Sequence, residues 1–383
     1  MQNVKVCIVG PSKHFLSWIS YFIMRLANSL SASCSVSVIC YRNLLPRFLF
    51  PGRAHVGKEI SHLEFSPAVQ VYDGMDYNNP VTWYRAYRHL RRTKPDIIIL
   101  QWWTSSVSHM HLLMKIMGLS LKSRLVIDFH EVVDPLEESI FPLRIYSRLM
   151  GKILRDDLDT YIVHSTSDKF LVSKRYGIDP QKIHVIPHGL YDHYGSVMDT
   201  KKARELLSIK EEFVILSFGL IRRYKGVPYL IKAFELLPEN IVKRSRLLIV
   251  GEMWEDREEL LSRIRSSPFT EKITLVDEYV PDNKVPVYFS AASIVVLPYT
   301  RASQSGIAHI AMSFGKPVIA SDVGGLKESL GKYAGAIFVP PMNSDEIKKK
   351  LLENFEREKI YNPPALGWNE ISDQYLKVVS LRQ

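Results

Sequence analysis

Short apolar runs that alternate with helical patterns dominate this 383-residue chain. In the first half, strands are predicted at Val4–Val9, Val36–Cys40, Ile97–Gln101, Leu125–Phe129, Tyr161–His164 and His184–Pro187. In the second half, they are predicted at Phe213–Phe218, Leu247–Val250, Ile273–Val276, Ile294–Pro298, Pro317–Ala320 and Ala336–Val339, with helices from about Pro228, Arg257, Val285, Gly306, Leu326 and Asp345. Apolar residues from Phe15 to Leu30 recur at the spacing of an amphipathic helix. Strands that alternate with helices form βαβ units, so we expect an α/β fold with parallel sheets.

The length of the chain suits two such domains better than a single core. A boundary is predicted at Pro187-His188-Gly189, just before the polar stretch from Tyr191 to Lys202. We therefore expect an N-terminal Rossmann-like domain over 1–188 and a C-terminal one over 189–365. The amphipathic segment over 366–383 is expected to return to the N-terminal domain as a helix.

Composition places the chain among ordinary globular enzymes, with 46% hydrophobic and 23% charged residues. No run reaches the roughly 18 apolar residues that a membrane span requires, and no signal-peptide pattern is present. The three cysteines, Cys7, Cys34 and Cys40, have neither the number of a disulfide framework nor the spacing of a metal site. These features predict a cytoplasmic protein.

The net charge of +10 is concentrated in the first half of the chain. Residues 1–190 hold 23 lysines and arginines against 15 acidic residues, whereas the remainder holds 27 against 25. Basic and apolar residues mix in Tyr41–Arg53, His109–Arg124 and Ile140–Arg155, a composition typical of membrane-surface segments. An anionic membrane surface is therefore an expected partner. A solvated basic surface, or amphipathic helices packed on their own sheet, explains the same pattern.

The loop Phe218–Gly226 (FGLIRRYKG) follows a predicted buried strand and precedes a helix. Gly219 permits a close backbone approach to a ligand, while Arg222 and Lys225 place positive charge beside a helix N-terminus. That combination suits a diphosphate. A glycine turn with two solvated cations is the alternative for this loop taken alone.

A second loop of the same kind spans Pro298–Pro317 and again follows a buried apolar strand. Its small and hydrogen-bonding residues, Ser303, Gln304, Ser305 and Gly306, lead into a helix for which Ser303 or Ser305 is the expected N-cap. An ordinary capped helix is the alternative. Because both loops follow strands of one sheet, a shared phosphate site explains the pair better than two unrelated turns do.

Polar residues in the first half follow the strand candidates more sparsely. His130 and Glu131 come directly after Leu125–Phe129, and Lys13 and His14 lie in the first βα turn, which lacks the GxGxxG pattern. A zinc motif is not formed, because Asp134 stands where a second histidine would be needed. A single histidine at a strand end is more often structural than functional.

The segments FGLIRRYKGVPYLIKAFELL, LPYTRASQSGIAHIAMSFGKPVIASDVGG and VIPHG resemble the retaining GT-B glycosyltransferases of family four, also described as glycosyl transferases group 1. The resemblance implies two Rossmann-like domains facing across a cleft, with the acceptor on the first and a nucleotide sugar, a UDP- or GDP-sugar, on the second. It implies catalytic roles for His130, Arg222 and Lys225. The implied donor site comprises Gly219, Glu278, Tyr279, Val280, Ser303, Gln304, Ser305 and Gly306; on the acceptor side it implies Lys13, His14, Glu131 and Asp134.

One motif departs from the family pattern. Ala302 and Ile310 occupy the places of two glutamates that commonly contact the donor, and Gln304-Ser305-Gly306 resembles a branch without them. Phosphate binding is still expected, whereas the sugar is not specified by this loop.

No DxD-like metal motif follows a predicted strand, so the transferase is expected to need neither metal nor cofactor. Its acceptor is expected to be a glycan or a lipid-linked molecule in cell-surface polysaccharide or glycolipid synthesis, with the enzyme peripheral at the inner membrane face. A sugar-nucleotide epimerase or hydrolase of the same fold is the first alternative. A non-enzymatic basic binding protein is the second, although no nucleic-acid-binding module is recognisable and nucleic acid is not expected as a partner.

Overall fold

The computed structural model describes residues 4–14, 18–44, 63–134, 141–158, 160–302, 304–357 and 359–380. The chain divides into two compact units, one formed by Met1–Gly189 with Leu366–Gln383 and the other by Leu190–Ala365. The boundary after Gly189 lies one residue beyond the predicted end of the N-terminal domain at residue 188. In the described part of the chain, no helix is both long enough and apolar enough to cross a bilayer.

The first unit contains a parallel sheet with the strand order β3-β2-β1-β4-β5-β6-β7. Its strands are β1 (Lys5–Pro11), β2 (Ser35–Asn43), β3 (Gln70–Asp76), β4 (Ile97–Trp102), β5 (Arg124–Phe129), β6 (Thr160–Val163) and β7 (Ile183–Val185). Its helices are α1 (Trp18–Leu30), α2 (Pro80–Thr93), α3 (Ser108–Ser120), α4 (Phe141–Arg155), α5 (Thr166–Tyr176) and, numbered in chain order, α14 (Trp368–Ser380). Strand β3 has no counterpart among the predicted strands, because this edge strand (QVYDGMD) is mostly exposed or half-buried and lacks a continuous apolar run.

Apolar side chains on both faces of this sheet explain why its central strands read as unbroken hydrophobic runs. On one face, Phe22 of α1 packs in the same core as Val6, Ile8 and residues of α14. The final helix α14 lies against α1, where the Ser29 hydroxyl donates to the Trp368 carbonyl at 2.9 Å. The last segment is thus part of the first unit's core.

The second unit contains a parallel sheet with the strand order β10-β9-β8-β11-β12-β13. Its strands are β8 (Phe213–Phe218), β9 (Ser245–Val250), β10 (Ile273–Val276), β11 (Ile294–Leu297), β12 (Val318–Ser321) and β13 (Ala336–Val339). Its helices are α6 (Thr200–Leu206), α7 (Val227–Glu235), α8 (Glu239–Lys243), α9 (Arg257–Ser266), α10 (Val285–Ala291), α11 (Gly306–Ser313), α12 (Gly324–Leu330) and α13 (Ser344–Asn354). The α/β class with two Rossmann-like sheets is confirmed.

The strand order of the second sheet determines where a ligand can bind. Strand β8 pairs with β9 on one side and with β11 on the other, so the chain reverses its direction of travel across the sheet between β8 and β11. Open α/β sheets bind ligands beyond the carboxyl ends of the strands at such a switch point. The loops after β8 and β11 are the two that were selected from the sequence.

Candidate active site

The loop between β8 and α7 is held close to the sheet by two glycines in the left-handed region. Gly219 has φ +100° and Gly226 has φ +66°. A β-carbon at Gly226 would overlap the carbonyl oxygen of Pro298, so only glycine allows this loop to pack on the end of β11. The intervening residues Arg223–Lys225 form a single 3-10 turn before α7 begins.

The loop between β11 and α11 ends in a capped helix. Ser305 is the N-cap, and its hydroxyl accepts a hydrogen bond from the Ala308 amide. The side-chain oxygen of Gln304 accepts from the Ser329 hydroxyl at 2.6 Å, which fixes the glutamine beside α12. The Ser303 position lies outside the described residues.

The two loops meet through a chain of side-chain hydrogen bonds. The ammonium group of Lys225 donates to the Tyr299 hydroxyl at 2.6 Å, and that hydroxyl lies 3.2 Å from Oγ of Ser305. Burial raises the pKa of Tyr299 above its usual value, although the hydrogen bond with Ser305 acts in the opposite direction. A neutral phenol that accepts from Lys225 is free to donate to Ser305. The structure therefore joins one cation of the first loop to the helix cap of the second.

Two further contacts bring the same loops together. The Thr300 amide donates to the Tyr224 carbonyl at 2.8 Å. At Gly219, an added β-carbon would lie 3.0 Å from Cδ1 of Ile307, in the first turn of α11. The start of α11 and the turn after β8 thus share one small volume at the switch point.

The two adjacent arginines of the first loop differ in their surroundings. Arg222 is partly buried, and its guanidinium carbon lies 4.5 Å from the centre of the Trp254 ring. Arg223 is exposed and forms a bidentate pair with Asp256, both bonds being 2.7 Å long. The loop therefore offers Arg222 and Lys225 to an anion, while Arg223 is neutralised by its own partner.

The predicted nucleobase segment, Glu278–Val280, follows β10 at the carboxyl edge of the same sheet. Glu278 is exposed and Val280 is buried. Because β9 separates β10 from β8, this segment starts two strands, or about 10 Å, from the turn at Gly219.

In the first unit, His130 directly follows β5 and is almost completely buried. Its amide donates to the Trp102 carbonyl at 2.8 Å, and its Nε2 forms a short hydrogen bond with the side-chain oxygen of Gln101. Burial, assisted by the nearby His164, lowers the pKa of His130 well below its usual value. The ring is thus a neutral hydrogen-bonding group.

The remaining residues predicted near an acceptor have diverse environments. Lys13 forms an ion pair with Glu64 at 2.7 Å, and His14 lies 3.8 Å from a carboxylate oxygen of Asp73. Glu131 is partly buried. The Asp134 carboxylate is fully buried, where it accepts hydrogen bonds from the Ser105 amide and from the hydroxyls of Thr104 and Ser147.

Sequence reasoning did not select Tyr299, His164 or His188. Tyr299 lay inside the second loop, but only the tertiary contact with Lys225 distinguishes it. His164 follows β6 and His188 follows β7. Together with His130 they form a buried group in which one ring nitrogen from each histidine lies within 4.8 Å of those from the other two. A histidine after each of three neighbouring parallel strands was the signal that could have revealed this cluster.

Two family models match the chain and together cover most of it. The model described as Glycosyltransferase Family 4 matches residues 19–192, and the model described as Glycosyl transferases group 1 matches residues 198–363. The chain therefore belongs to the glycosyltransferases that these two models describe, and the family resemblance stated from its motifs is confirmed at this level.

Individual relatives agree with this class. The chain is 26% identical over 287 residues to mannosylfructose-phosphate synthase of Agrobacterium fabrum, a match covering 70% of the chain and 62% of the relative. It is 25% identical over 238 residues to D-inositol 3-phosphate glycosyltransferase 1 of Catenulispora acidiphila, covering 57% and 56%. The matched part of the chain thus spans about three fifths of the length of these curated relatives.

Solved structures show the same fold along the whole chain. Sucrose-phosphate synthase from Thermosynechococcus elongatus superposes with a TM-score of 0.72 at 15% identity, covering 98% of each chain. Anabaena HepE in complex with UDP-glucose superposes with a TM-score of 0.67 at 17% identity, covering 98% of this chain and 96% of that one. At these identities the likeness concerns the fold alone.

Proposed function

We propose that this protein transfers a sugar from a nucleoside-diphosphate donor, with retention of configuration, and that the loops after β8 and β11 bind the donor diphosphate. The observation that carries this proposal is the hydrogen-bonded chain Lys225–Tyr299–Ser305, which joins a cation to a helix N-terminus at the switch point. The solved complex of HepE with UDP-glucose supports a UDP-sugar as the first donor to test, with GDP-sugars as the second.

The chemistry of the site suits the departure of a diphosphate. Arg222 and Lys225 would stabilise the negative charge that develops on the leaving group, together with the Gly306 and Ile307 amides at the start of α11. Ser303 and Gln304 would complete the donor loop, and Glu278–Val280 would contact the base. Preorganised donors of this kind lower the barrier without a strong base, which agrees with same-face attack by the acceptor.

The acceptor side of the proposal lies in the first unit. By family resemblance, His130 would contact the transferred sugar, and Lys13, His14 and Glu131 would contact the acceptor. The buried Asp134 would act there indirectly, because its carboxylate orients the Thr104–Ser105 turn.

Titration calorimetry with UDP and GDP tests the donor site. Lys225→Ala and Arg222→Ala each remove a charged contact worth about 1.5–3 kcal/mol, so the preferred nucleotide should bind about 10- to 100-fold more weakly. Arg223→Ala is the matched control, since its charge is paired with Asp256 in the same loop. Unchanged affinity in both test variants, or an equal loss in the control, would disprove the assignment.

Turnover measurements distinguish a transferase from other enzymes of this fold. Nucleotide sugars that raise the melting temperature should be incubated with and without candidate glycan or lipid-linked acceptors. A transferase should show only slow hydrolysis until an acceptor is supplied. Rapid donor consumption without any acceptor would instead identify an epimerase or a hydrolase.

We further propose that the acceptor is lipid-linked or lies at an anionic membrane surface, and that α4 contacts the bilayer peripherally at its inner face. The apolar residues Phe141, Ile145, Leu149 and Ile153 recur every fourth position on α4 and are 40–70% exposed. Arg148 and Lys152 are exposed on the same helix. Apolar residues interleaved with basic ones on one exposed helix face are typical of interfacial helices. The predicted segment Tyr41–Arg53 lies largely outside the described residues.

Sedimentation with liposomes of phosphatidylserine and phosphatidylcholine tests this surface. The double variant Ile145→Glu with Leu149→Glu should lose most of its binding, because it places two charges where apolar side chains would enter the lipid. Leu206→Glu on α6 is the control, since Leu206 is 61% exposed but lies in the second unit. The proposal would be contradicted if the wild type did not bind these liposomes at low salt. It would also be contradicted if the double variant bound them as well as the wild type does.

A further inference from the structure

Three histidines meet inside the first unit, at the carboxyl ends of neighbouring strands. His130 follows β5, His164 follows β6 and His188 follows β7, with exposed fractions of 1%, 4% and 2%. One ring nitrogen from each lies within 4.8 Å of those from the other two. We propose that these three imidazoles bind one divalent transition metal ion of the zinc class.

A hydrogen bond at Nδ1 orients the His164 ring in the way that is common for metal-binding histidines. Its Nδ1 lies 2.9 Å from the Ile186 carbonyl oxygen, which can only accept, so Nδ1 carries the proton. Nε2 is then the nitrogen of this ring that could bind an ion. A metal-binding histidine usually donates its other ring N–H to a carbonyl or carboxylate in this way.

His130 is oriented by a chain of two hydrogen bonds that runs through Gln101 to Asp128. Gln101 donates its amide N–H to Oδ2 of Asp128 at 3.1 Å, so its carbonyl oxygen must face the other way, toward Nε2 of His130. That oxygen can only accept, which places the ring proton on Nε2 and the lone pair on Nδ1.

The charge around the cluster favours a bound cation. Oδ1 of Asp128 lies 3.3 Å from Nε2 of His164, so a buried carboxylate stands beside the ring nitrogen that would bind the ion. The other oxygen of Asp128 accepts a hydrogen bond from the Tyr375 hydroxyl at 2.6 Å. A positive ion at that nitrogen would be compensated by the carboxylate. A proton would compensate only the pair of His164 and Asp128, whereas a metal ion would bind all three rings.

The distances between the three ring nitrogens, and the fact that the ligands are imidazoles, restrict which ion can bind. Zinc–nitrogen bonds of 2.0–2.1 Å place tetrahedral ligand atoms about 3.3 Å apart, so the rings need to approach by about 1.5 Å at most. Phe22 packs on all three rings, with centroid distances of 4.6–5.4 Å, and forms the apolar shell that commonly surrounds a metal site. Neutral imidazoles favour zinc, cobalt, nickel or copper over magnesium and calcium.

The inferred ion would join the ends of three strands of the first sheet. This inference goes beyond the proposed transfer reaction: it shares His130 with the acceptor side of that proposal, whereas His164 and His188 have no part there. The two proposals can therefore fail separately. The protein could bind a nucleotide in the second unit without binding a metal, or bind a metal without binding a nucleotide.

Cobalt titration of the tag-free, chelator-treated protein tests the site. Four-coordinate Co²⁺ should give intense visible absorption that saturates at one equivalent and disappears when Zn²⁺ is added. His164→Ala and His188→Ala should each weaken Co²⁺ binding at least tenfold. His184→Ala on β7 is the matched control, because this half-buried histidine lies outside the cluster and should leave the titration unchanged.

A second measurement covers variants that fail to fold. His188→Gln keeps a polar side chain of similar size, and circular dichroism reports whether each variant is folded. For the wild type, stoichiometric Zn²⁺ should raise the melting temperature by mass action. A folded wild type that shows neither the cobalt spectrum nor the stabilisation overturns the proposal, as does a folded His164 or His188 variant with unchanged cobalt affinity; the cluster would then hold a proton only.

Discussion

Tyr299→Phe isolates the contact that joins the two loops of the donor site. Phenylalanine retains the buried ring, whose centre lies 4.0 Å from the Lys225 nitrogen, and removes only the hydroxyl. The lost hydrogen bond from Lys225 is short, at 2.6 Å, and has a charged donor. Such bonds contribute about 1.5–3 kcal/mol, but in the variant the ammonium group can regain water. We therefore expect about 1.5 kcal/mol of lost diphosphate binding, or about a tenfold higher Kd.

The mechanism predicts that this effect depends on Lys225. If Tyr299 acts by fixing the ammonium group, the double variant Tyr299→Phe with Lys225→Ala should bind UDP or GDP no more weakly than Lys225→Ala alone. A double-mutant cycle measured by calorimetry would then give a coupling energy of about 1.5 kcal/mol.

The matched control for this cycle is Tyr224→Phe, which removes a hydroxyl from the neighbouring residue. The Tyr224 contact with the second loop is made by its backbone carbonyl, so this variant should remain within about twofold of the wild type. Additive losses for Tyr299 and Lys225 would refute the reasoning, because they would mean that the phenol contributes without acting through the cation.

Two other perturbations probe the same unit. Gly219→Ala should weaken nucleotide binding severalfold in calorimetry, because φ +100° strains any L-residue and the new β-carbon would approach Ile307. Burial raises the pKa of Glu211, but hydrogen bonds from Lys272 and Arg246 outweigh it and lower the pKa to about 2. Its contribution to stability is therefore complete above the unfolded pKa of about 4.5 and is lost as the pH falls toward 2. Urea unfolding should show that Glu211→Gln lowers the free energy of unfolding by about 2–3 kcal/mol at pH 7. The difference between the variant and the wild type should become smaller below pH 4.

Much of the fold could be predicted from local pattern. The strand Phe213–Phe218 has the bounds expected from its apolar run, because a parallel strand covered on both faces needs nearly every side chain to be apolar. The same rule explains why β3 was missed, since an edge strand with exposed positions carries no such run. The loops containing Gly219 and Ser305 were also visible, because glycine turns and helix caps are local features.

The tertiary structure decided which side chains of those loops act together. Nothing in the sequence separates Arg222 from Arg223, yet only the second is neutralised by Asp256. Tyr299 has no local distinction either, and the histidines at 164 and 188, although each follows a strand, are brought together only by the order of those strands in the sheet. Periodicity along a chain records which face of an element is buried, whereas contact between residues from different strands depends on sheet order, which only the folded chain defines.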